Sequence, residues 1–123
     1  MTSEESLIKR YFDAFNRHDL DGVMECFHHD AVVIGPYGKR VEGRDNVRRH
    51  YRSGFDGIPD GNCELRMCTG NNGRAVAESR FTGTQASSGK AIEAMGAELM
   101  EIVDGKIKEI RDYHQSAASS KAA

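Results

Sequence analysis

The first half of the chain carries apolar side chains at helical spacing. Thr2 and Glu5 have the spacing of a capping box, which marks the start of a helix. Apolar residues between positions 7 and 15 then recur at intervals of three and four, as on one face of a helix. The polar segment 16–18 ends this pattern. The sequence therefore predicts a first amphipathic helix that ends near Asn16.

Two further helices and a short strand are predicted before residue 57. Asp19 is a candidate N-cap for a second helix, whose apolar face comprises Leu20, Val23, Met24 and Phe27. The apolar run 31–34 predicts a strand that ends at Gly35-Pro36. A third helix is predicted across Arg44 to Phe55.

The second half of the chain has the pattern of strands and tight turns. Strands are predicted near 62–69, 74–85, 90–103 and 106–115. Their connections contain Asn-Gly, Ser-Gly and Asp-Gly pairs, which supply the positive φ angles of hairpin turns. Consecutive hairpins of this kind form an antiparallel meander. Helices followed by a meander predict an α+β fold with the helices on one face of the sheet.

The length and the cysteine content limit the class of protein. A chain of 123 residues is expected to form one domain, here residues 1–115, with a frayed polar tail at 116–123. No apolar run is long enough to cross a membrane. The number of cysteines is odd, since the chain has Cys26, Cys63 and Cys68. The amino terminus lacks the pattern of a signal peptide. We therefore expect free, packed thiols in a cytoplasmic protein.

The sequence lacks the common motifs for nucleotide cofactors, serine hydrolases and zinc peptidases. Cys63 and Cys68 do not have zinc-ligand spacing. The cluster 28–30, His-His-Asp, is expected to lie in the last turn of the second helix, where the helix dipole favours imidazoles. We therefore expect neither a cofactor nor a metal.

A local excess of positive charge lies between residues 39 and 52. Because the net charge of the chain is −2, no overall field favours nucleic acid or an anionic membrane. The basic stretch is expected to be a solvated helix face, with an anionic ligand or partner as the alternative. Its members are Lys39, Arg40, Arg44, Arg48, Arg49 and Arg52.

Several segments resemble the SnoaL-like branch of the nuclear transport factor 2-like superfamily, which includes ketosteroid isomerases and polyketide cyclases. The resemblance extends over about residues 5 to 115. Its strongest part is the first-helix segment 11–21, YFDAFNRHDLD. It continues through the segments 30–32, 41–48, 81–84 and 103–107.

This resemblance implies a cone-shaped fold in which a curved sheet and three helices enclose a pocket, in a protein that is commonly a homodimer. In the isomerases a tyrosine and an acid hold the enolate oxygen, and a second carboxylate carries the proton. Tyr11 matches the tyrosine, and Glu98 falls at the position of the oxygen-binding acid. Gly35 stands at the position of the base, so the resemblance argues against a simple isomerase that uses this base.

The last predicted strand offers a different pair of acid–base residues. Alternation places Ile110, Asp112 and His114 on one face, which the resemblance assigns to the pocket. A carboxylate two residues from an imidazole can orient it and raise its pKa. His114 can then act as acid or base, or Asp112 can be the base while His114 and Tyr11 donate to a substrate oxygen.

The same pattern is compatible with purely structural roles for these side chains. Asp112 can instead be solvated or pair with Arg111 or Arg80, and His114 can be simply exposed. Alternation also does not decide whether Glu98 or Glu101 faces the pocket. Glu78 and Arg80 share a face, either in the pocket or at a dimer interface. The side chains expected to line the pocket are Phe15, Phe27, Tyr51, Phe55, Phe81, Met100 and Ile110.

Two functions follow from these expectations. The first is a cofactor-free isomerase, cyclase or hydratase that transfers protons on a small apolar carbonyl, steroid-like or polyketide-like substrate. Its catalytic residues would be Tyr11, Glu98, Asp112 and His114. The second is a non-catalytic ligand-binding or dimerisation module of the same fold.

Overall fold

A computed structural model describes residues 1–116 and contains three α-helices before the main strands. Helix α1 spans Ser3–Asn16, α2 spans Leu20–Glu25 and α3 spans Arg44–Gly57. The capping box at α1 is confirmed, because Thr2 Oγ1 accepts from Glu5 N and Glu5 Oε1 accepts from Thr2 N, each at 3.1 Å. The predicted cap of α2 is also present, since an Asp19 carboxylate oxygen accepts from Gly22 N at 3.0 Å.

Six strands form one mixed sheet. Their order across the sheet is β2-β1-β6-β5-β4-β3. The strands are β1 (Phe27–Ile34), β2 (Arg40–Glu42), β3 (Asn62–Asn71), β4 (Arg74–Thr84), β5 (Ala91–Val103) and β6 (Lys106–Ser116). The predicted antiparallel meander is β3 to β6, and β1 joins it by pairing parallel to β6. The predicted α+β class is therefore confirmed, in a sheet that is mixed rather than wholly antiparallel.

Positive φ angles occur where the sequence predicts hairpin turns. Asn72 and Gly73 have φ of 53° and 77°, and Asp104 and Gly105 have φ of 53° and 72°. Two successive positive angles are the requirement of a type I′ turn, whose twist matches that of the strands. These short turns fix the register of the long strands.

The prediction that Phe27 belongs to the second helix is wrong. Helix α2 ends at Glu25, and Phe27 begins β1, where it pairs with Ile107 of β6. His28, His29 and Asp30 therefore lie in a strand, not in the last turn of a helix. Phe27 is buried in the core, at 2% exposure, in its position on β1. This tertiary contact outweighs the helical spacing of the local sequence. The three-residue strand β2 was not predicted.

The helices cover one face of the sheet and leave the other face uncovered. Helix α1 packs against β3 and β4, while α3 packs against β1 and β2. The buried face carries the core and the residues of the site, whereas ion pairs such as Arg80–Glu93 occupy the opposite face. Strand β6 extends to Ser116, and the rest of the predicted tail, 117–123, lies outside the described residues. None of the helices within residues 1–116 is long and apolar enough to cross a membrane.

Candidate active site

A cavity of about 360 Å³ lies between α1, α3 and the covered face of the sheet. Its size falls at the lower end of the range for small-molecule sites. Aromatic rings form most of its wall, and a small group of polar side chains lies among them. Five of the seven apolar residues predicted to line it do so, namely Phe15, Tyr51, Phe55, Phe81 and Ile110.

Phe27 and Met100 belong to the hydrophobic core and not to the cavity wall. The ring of Phe27 packs edge-on against Tyr11, with centroids 5.9 Å apart. Met100 pairs with Ala75, next to Gly70, where the first turn of α1 approaches the sheet. Alternation identifies the correct face for Met100, but its position along the strand places it under the helix.

The sheet contributes polar groups to the site from two adjacent rows. Ser79 of β4, Gly96 of β5 and His114 of β6 are in register across three strands. In the neighbouring row Glu98 pairs with Asp112. The antiparallel register therefore brings together residues that are far apart in the sequence.

Four of these side chains form a continuous hydrogen-bonded chain. Asp112 Oδ1 bonds His114 Nδ1, and His114 Nε2 lies 2.9 Å from Ser79 Oγ. Ser79 Oγ lies 3.0 Å from each carboxylate oxygen of Glu98. Asp112 stands at the accessible end, with its side chain 33% exposed, while the side chains of His114 and Glu98 are each 8% exposed.

Burial and hydrogen bonding raise the pKa values of two members of this hydrogen-bonded network, His114 and Glu98. The hydrogen bond that His114 Nδ1 donates to the Asp112 carboxylate raises the pKa of His114 to about 10, so the ring is an imidazolium at neutral pH. Burial raises the pKa of Glu98 to about 7, although His114 and Ser79 oppose this shift. When the ring is charged, Nε2 donates to Ser79, whose hydroxyl donates to the Glu98 carboxylate.

A pair of tyrosine hydroxyls faces the same cavity from the helices. The hydroxyl oxygens of Tyr11 in α1 and Tyr51 in α3 are 2.6 Å apart, and both residues are buried. Burial raises the pKa of both phenols, so each keeps its proton. One hydroxyl donates to the other, and the acceptor's own proton remains available for a ligand oxygen.

The sequence pattern did not indicate two residues of the cavity wall, Cys63 and His50, or the fully buried Ser79 behind it. Ser79 links two predicted residues, yet a lone serine in a strand gives no signal. Cys63 Sγ lies 3.9 Å from Glu98 Oε2, although the sequence predicts only a packing role for it. His50 lines the mouth, where loss of solvent and the nearby Lys39 lower its pKa. Its position three residues after Val47, on the apolar side of α3, was the available signal.

The structure decides the orientation of the acids that alternation left open. Glu98 is 6% exposed and lines the cavity, whereas Glu101 bonds Arg111 on the opposite face. Arg80 pairs with Glu93, and Glu78 is exposed. These arginines are therefore not the partners of Asp112, which bonds His114.

Within residues 1–116, two groups of side chains each bring three metal-ligand atoms within 4.8 Å of one another. The first is His28, His29 and Asp30 on β1, of which His28 is mostly buried and the other two are exposed, and the second is Cys63, Glu98 and His114. In the second set Ser79 already bonds both Glu98 and His114 Nε2. This arrangement fits a hydrogen-bonded network, and the ligand atoms would have to leave Ser79 before they could converge on an ion.

The sequence matches the family model of the SnoaL-like domain over residues 8–110. The chain belongs to the SnoaL-like domain family. This finding confirms the resemblance drawn from the sequence. No curated protein matches this SnoaL-like chain.

Solved structures with the same fold cover nearly the whole SnoaL-like chain. A SnoaL-like protein from Jannaschia, proposed to be a polyketide cyclase, is 20% identical with a TM-score of 0.82. The alignment covers 98% of this chain and 89% of the Jannaschia chain. A proposed polyketide cyclase from Xanthomonas campestris is 22% identical with a TM-score of 0.81, and the alignment covers 92% of this chain and 90% of the Xanthomonas chain. The protein TerC, crystallised with polyporic acid, is 15% identical with a TM-score of 0.82, and the alignment covers 98% of this chain and 97% of TerC. Likenesses of this degree establish the cone-shaped nuclear transport factor 2-like fold.

Gly35 lines the cavity just before Pro36, at the position that the resemblance assigns to the isomerase base. A Cβ atom added here would have only Lys39 O within 4 Å, at 3.9 Å. The backbone therefore has room for a side chain at this position, and the chain carries none. Asp112 is the cavity carboxylate with the greatest access to a ligand.

Proposed function

We propose that this protein catalyses proton transfer on a small, largely apolar carbonyl compound, as an isomerase, cyclase or hydratase. One observation carries the proposal. An accessible carboxylate, Asp112, is bonded to His114 and opens into an apolar cavity that also holds the tyrosine hydroxyl pair. A base and an oxygen-binding group in one water-poor site are the two requirements of enolate chemistry.

Asp112 is the proposed base. One of its oxygens bonds His114, and the carboxylate is the most accessible group of the hydrogen-bonded chain. His114 bonds Asp112 with Nδ1 and Ser79 with Nε2, so neither ring nitrogen is free for the substrate. His114 therefore orients Asp112, and the positive charge of the ring balances the negative charge of the carboxylate. Ser79 and Glu98 hold the ring from behind.

The tyrosine pair is the proposed oxygen site. In the reaction the substrate C–H bond breaks, its proton moves to Asp112, and the electron pair moves to the carbonyl oxygen. The free hydroxyl proton of Tyr11 or Tyr51 then stabilises the enolate oxygen. Asp112 returns the proton to a different carbon in an isomerisation. In a cyclisation the enolate carbon attacks a second carbonyl, and the alkoxide oxygen formed there takes the proton back from Asp112.

A non-catalytic ligand-binding module is the second candidate. It is favoured by the bond between the two tyrosine hydroxyls, which leaves one proton for a ligand, and by the full occupation of His114. The two functions differ in what happens to a bound ketone. A binding module holds it unchanged, and an enzyme exchanges its α-hydrogens.

Hydrogen exchange of a bound ketone tests the proposal without knowledge of the natural substrate. We would follow α-hydrogen exchange of 2-tetralone in D₂O by NMR, with the wild type, Asp112→Asn and the opposite-face control Glu101→Gln. The expected result is exchange faster than in buffer, lowered about 10²-fold in Asp112→Asn and unchanged in the control. Binding without accelerated exchange would favour the non-catalytic module.

We also propose that the protein is a homodimer that uses the face of the sheet opposite the cavity. Met67, Glu78, Ala97 and Tyr113 lie in one row of the register, with Met67 53% and Tyr113 59% exposed. Two large exposed apolar side chains, on β3 and β6 in the same row, favour an interface on this face.

A further inference from the structure

An open groove adjoins the mouth of the cavity and carries positive charge. It lies between β2, the outer side of α3 and the turn that joins β4 to β5, and its volume is about 980 Å³. The groove and the cavity share His50, Gly54 and Ile58. A ligand in the cavity can therefore extend into the groove past α3.

Three of the six basic side chains between residues 39 and 52 already have structural partners. Arg44 donates to the carbonyl of Phe27 at 3.1 Å, and Arg48 pairs with Asp21 at 2.6 Å. Arg40 lies 3.4 Å from Glu42, the one acid of the groove. These three arginines therefore serve the fold itself.

Lys39 and Arg49 differ from the other cations because they line the groove without a carboxylate partner. Across residues 1–116, neither forms an ion pair within 4.0 Å, and the contact of Arg49 is the neutral Asn46 Oδ1 at 2.6 Å. Burial and then the nearby charge of Lys39 lower the pKa of His50, so the Lys39 charge acts at the junction of groove and cavity. At neutral pH the mouth thus has two unpaired positive charges and no added charge from His50.

From this charge arrangement we propose that the ligand is an amphiphilic acid. Its apolar ring system would occupy the aromatic cavity, and a carboxylate at the opposite end would lie between Lys39 and Arg49 in the groove. The inference rests on the proposed function for the ring end, since the ketone must reach Asp112 and the tyrosine pair. It adds the substrate class and the two residues that select it.

The expected contribution of these cations is moderate because both are exposed. A solvent-exposed ion pair contributes about 0.2–1 kcal/mol, which corresponds to roughly 1.5- to 5-fold in affinity for each cation. The attraction also weakens with ionic strength, because the screening length falls from ~10 Å at 0.1 M salt to ~3 Å at 1 M. Together the two cations are expected to favour the acid by about tenfold.

The test compares naphthols whose substituent at position 6 is absent, negatively charged or positively charged. We would measure the dissociation constants of 2-naphthol, 6-hydroxy-2-naphthoic acid and 6-aminomethyl-2-naphthol by fluorescence titration. The test variant is the double change Lys39→Ala with Arg49→Ala. The control is Arg52→Ala, which removes one positive charge from α3 outside the groove. No turnover is needed, so this test can fail while the exchange test of the proposed function succeeds, and the reverse.

The expected result is that the acid binds about tenfold more tightly than 2-naphthol and the amine binds more weakly. The double variant should lose this preference without loss of 2-naphthol binding, and Arg52→Ala should retain it. The proposal is overturned if the acid binds no more tightly than 2-naphthol, if Arg52→Ala weakens the acid equally, or if none of the three compounds binds.

Discussion

Ser79 and His114 are hydrogen-bonded at 2.9 Å although their strands are not neighbours in the sheet. Strand β5 lies between them, so their backbones are about 10 Å apart at a strand spacing of ~4.8 Å. The side chains meet because Gly96 occupies the intervening position of the row and has no side chain. A Cβ atom at Gly96 would lie 2.2 Å from Tyr113 O and 2.6 Å from His114 Cα.

Gly96→Ala should therefore disturb both the fold and the hydrogen-bonded chain. The added methyl group clashes with backbone atoms, which cannot move aside as a side-chain end can. We expect the free energy of unfolding to fall by about 1–3 kcal/mol, as in an overpacked core. Urea unfolding measures this loss. Gly54→Ala is the matched control, because no atom lies within 4 Å of its added Cβ and alanine favours the helix.

The tyrosine pair predicts a non-additive effect on stability. Tyr11→Phe leaves the Tyr51 hydroxyl buried without its partner, and Tyr51→Phe does the same to Tyr11. Each single change should cost about 1–3 kcal/mol, the cost of an unsatisfied buried polar group. The double variant should lose less than the sum of the two, since it removes both hydroxyls. Additive losses in urea unfolding would show that the hydroxyls do not depend on each other, and Tyr37→Phe at an exposed site serves as the control.

The raised pKa of Glu98 predicts how stability depends on pH. The pKa is about 4.5 for an ordinary glutamate and about 7 in the fold, so the folded protein binds a proton that the unfolded chain releases. The contribution of Glu98 to stability is therefore complete below pH 4.5 and is lost as the pH rises through 7. The whole change is on the order of 3 kcal/mol, from ~1.36 kcal/mol for each pKa unit.

Glu98→Gln should remove this part of the pH dependence. The amide retains a hydrogen-bonding partner for Ser79 and does not titrate. Relative to the wild type, the variant should gain stability between pH 5 and pH 8 in urea unfolding. Glu101→Gln, whose carboxylate bonds Arg111 on the opposite face, should show no such gain. Parallel curves for Glu98→Gln and the wild type would contradict the assignment.

The sequence allowed the secondary structure to be predicted well wherever a local signal exists. The Thr2–Glu5 capping box and the turn residues 72–73 and 104–105 act within a few residues, and the helices and hairpins follow from them. Phe27 was misassigned because its pairing with Ile107 is 80 residues away in sequence and has no local signal. Long-range pairing decides such boundaries.

The candidate site was predictable only in part for the same reason. Alternation placed Asp112 and His114 on one face, and the family resemblance indicated Tyr11 and Glu98. The connection through Ser79 depends on a three-strand register and on a glycine between two side chains. The choice between Glu98 and Glu101 depends on which face of β5 the helices cover. Neither property can be read from one strand alone.

The proposed homodimer predicts a change in mass on one substitution. Tyr113→Asp places a charge in the exposed row of the sheet face opposite the cavity, where a partner would bury it without compensation. Sedimentation velocity should then find a dimer for the wild type and a monomer for the variant. Tyr37→Asp, at a fully exposed site away from the strands, should remain dimeric. A monomeric wild type would contradict the proposal directly.

The charged pair of Asp112 and His114 is the centre of the proposed site, and an NMR titration of the histidine side chains tests it most directly. Spectra of the wild type, of Asp112→Asn and of His114→Gln would assign one imidazole to His114 by its absence from the last. We expect this ring to remain an imidazolium through pH 8, since its pKa is raised to about 10, and its pKa to fall on loss of the Asp112 carboxylate. A ring that titrates near ~6.5 in both the wild type and Asp112→Asn would contradict the charged pair.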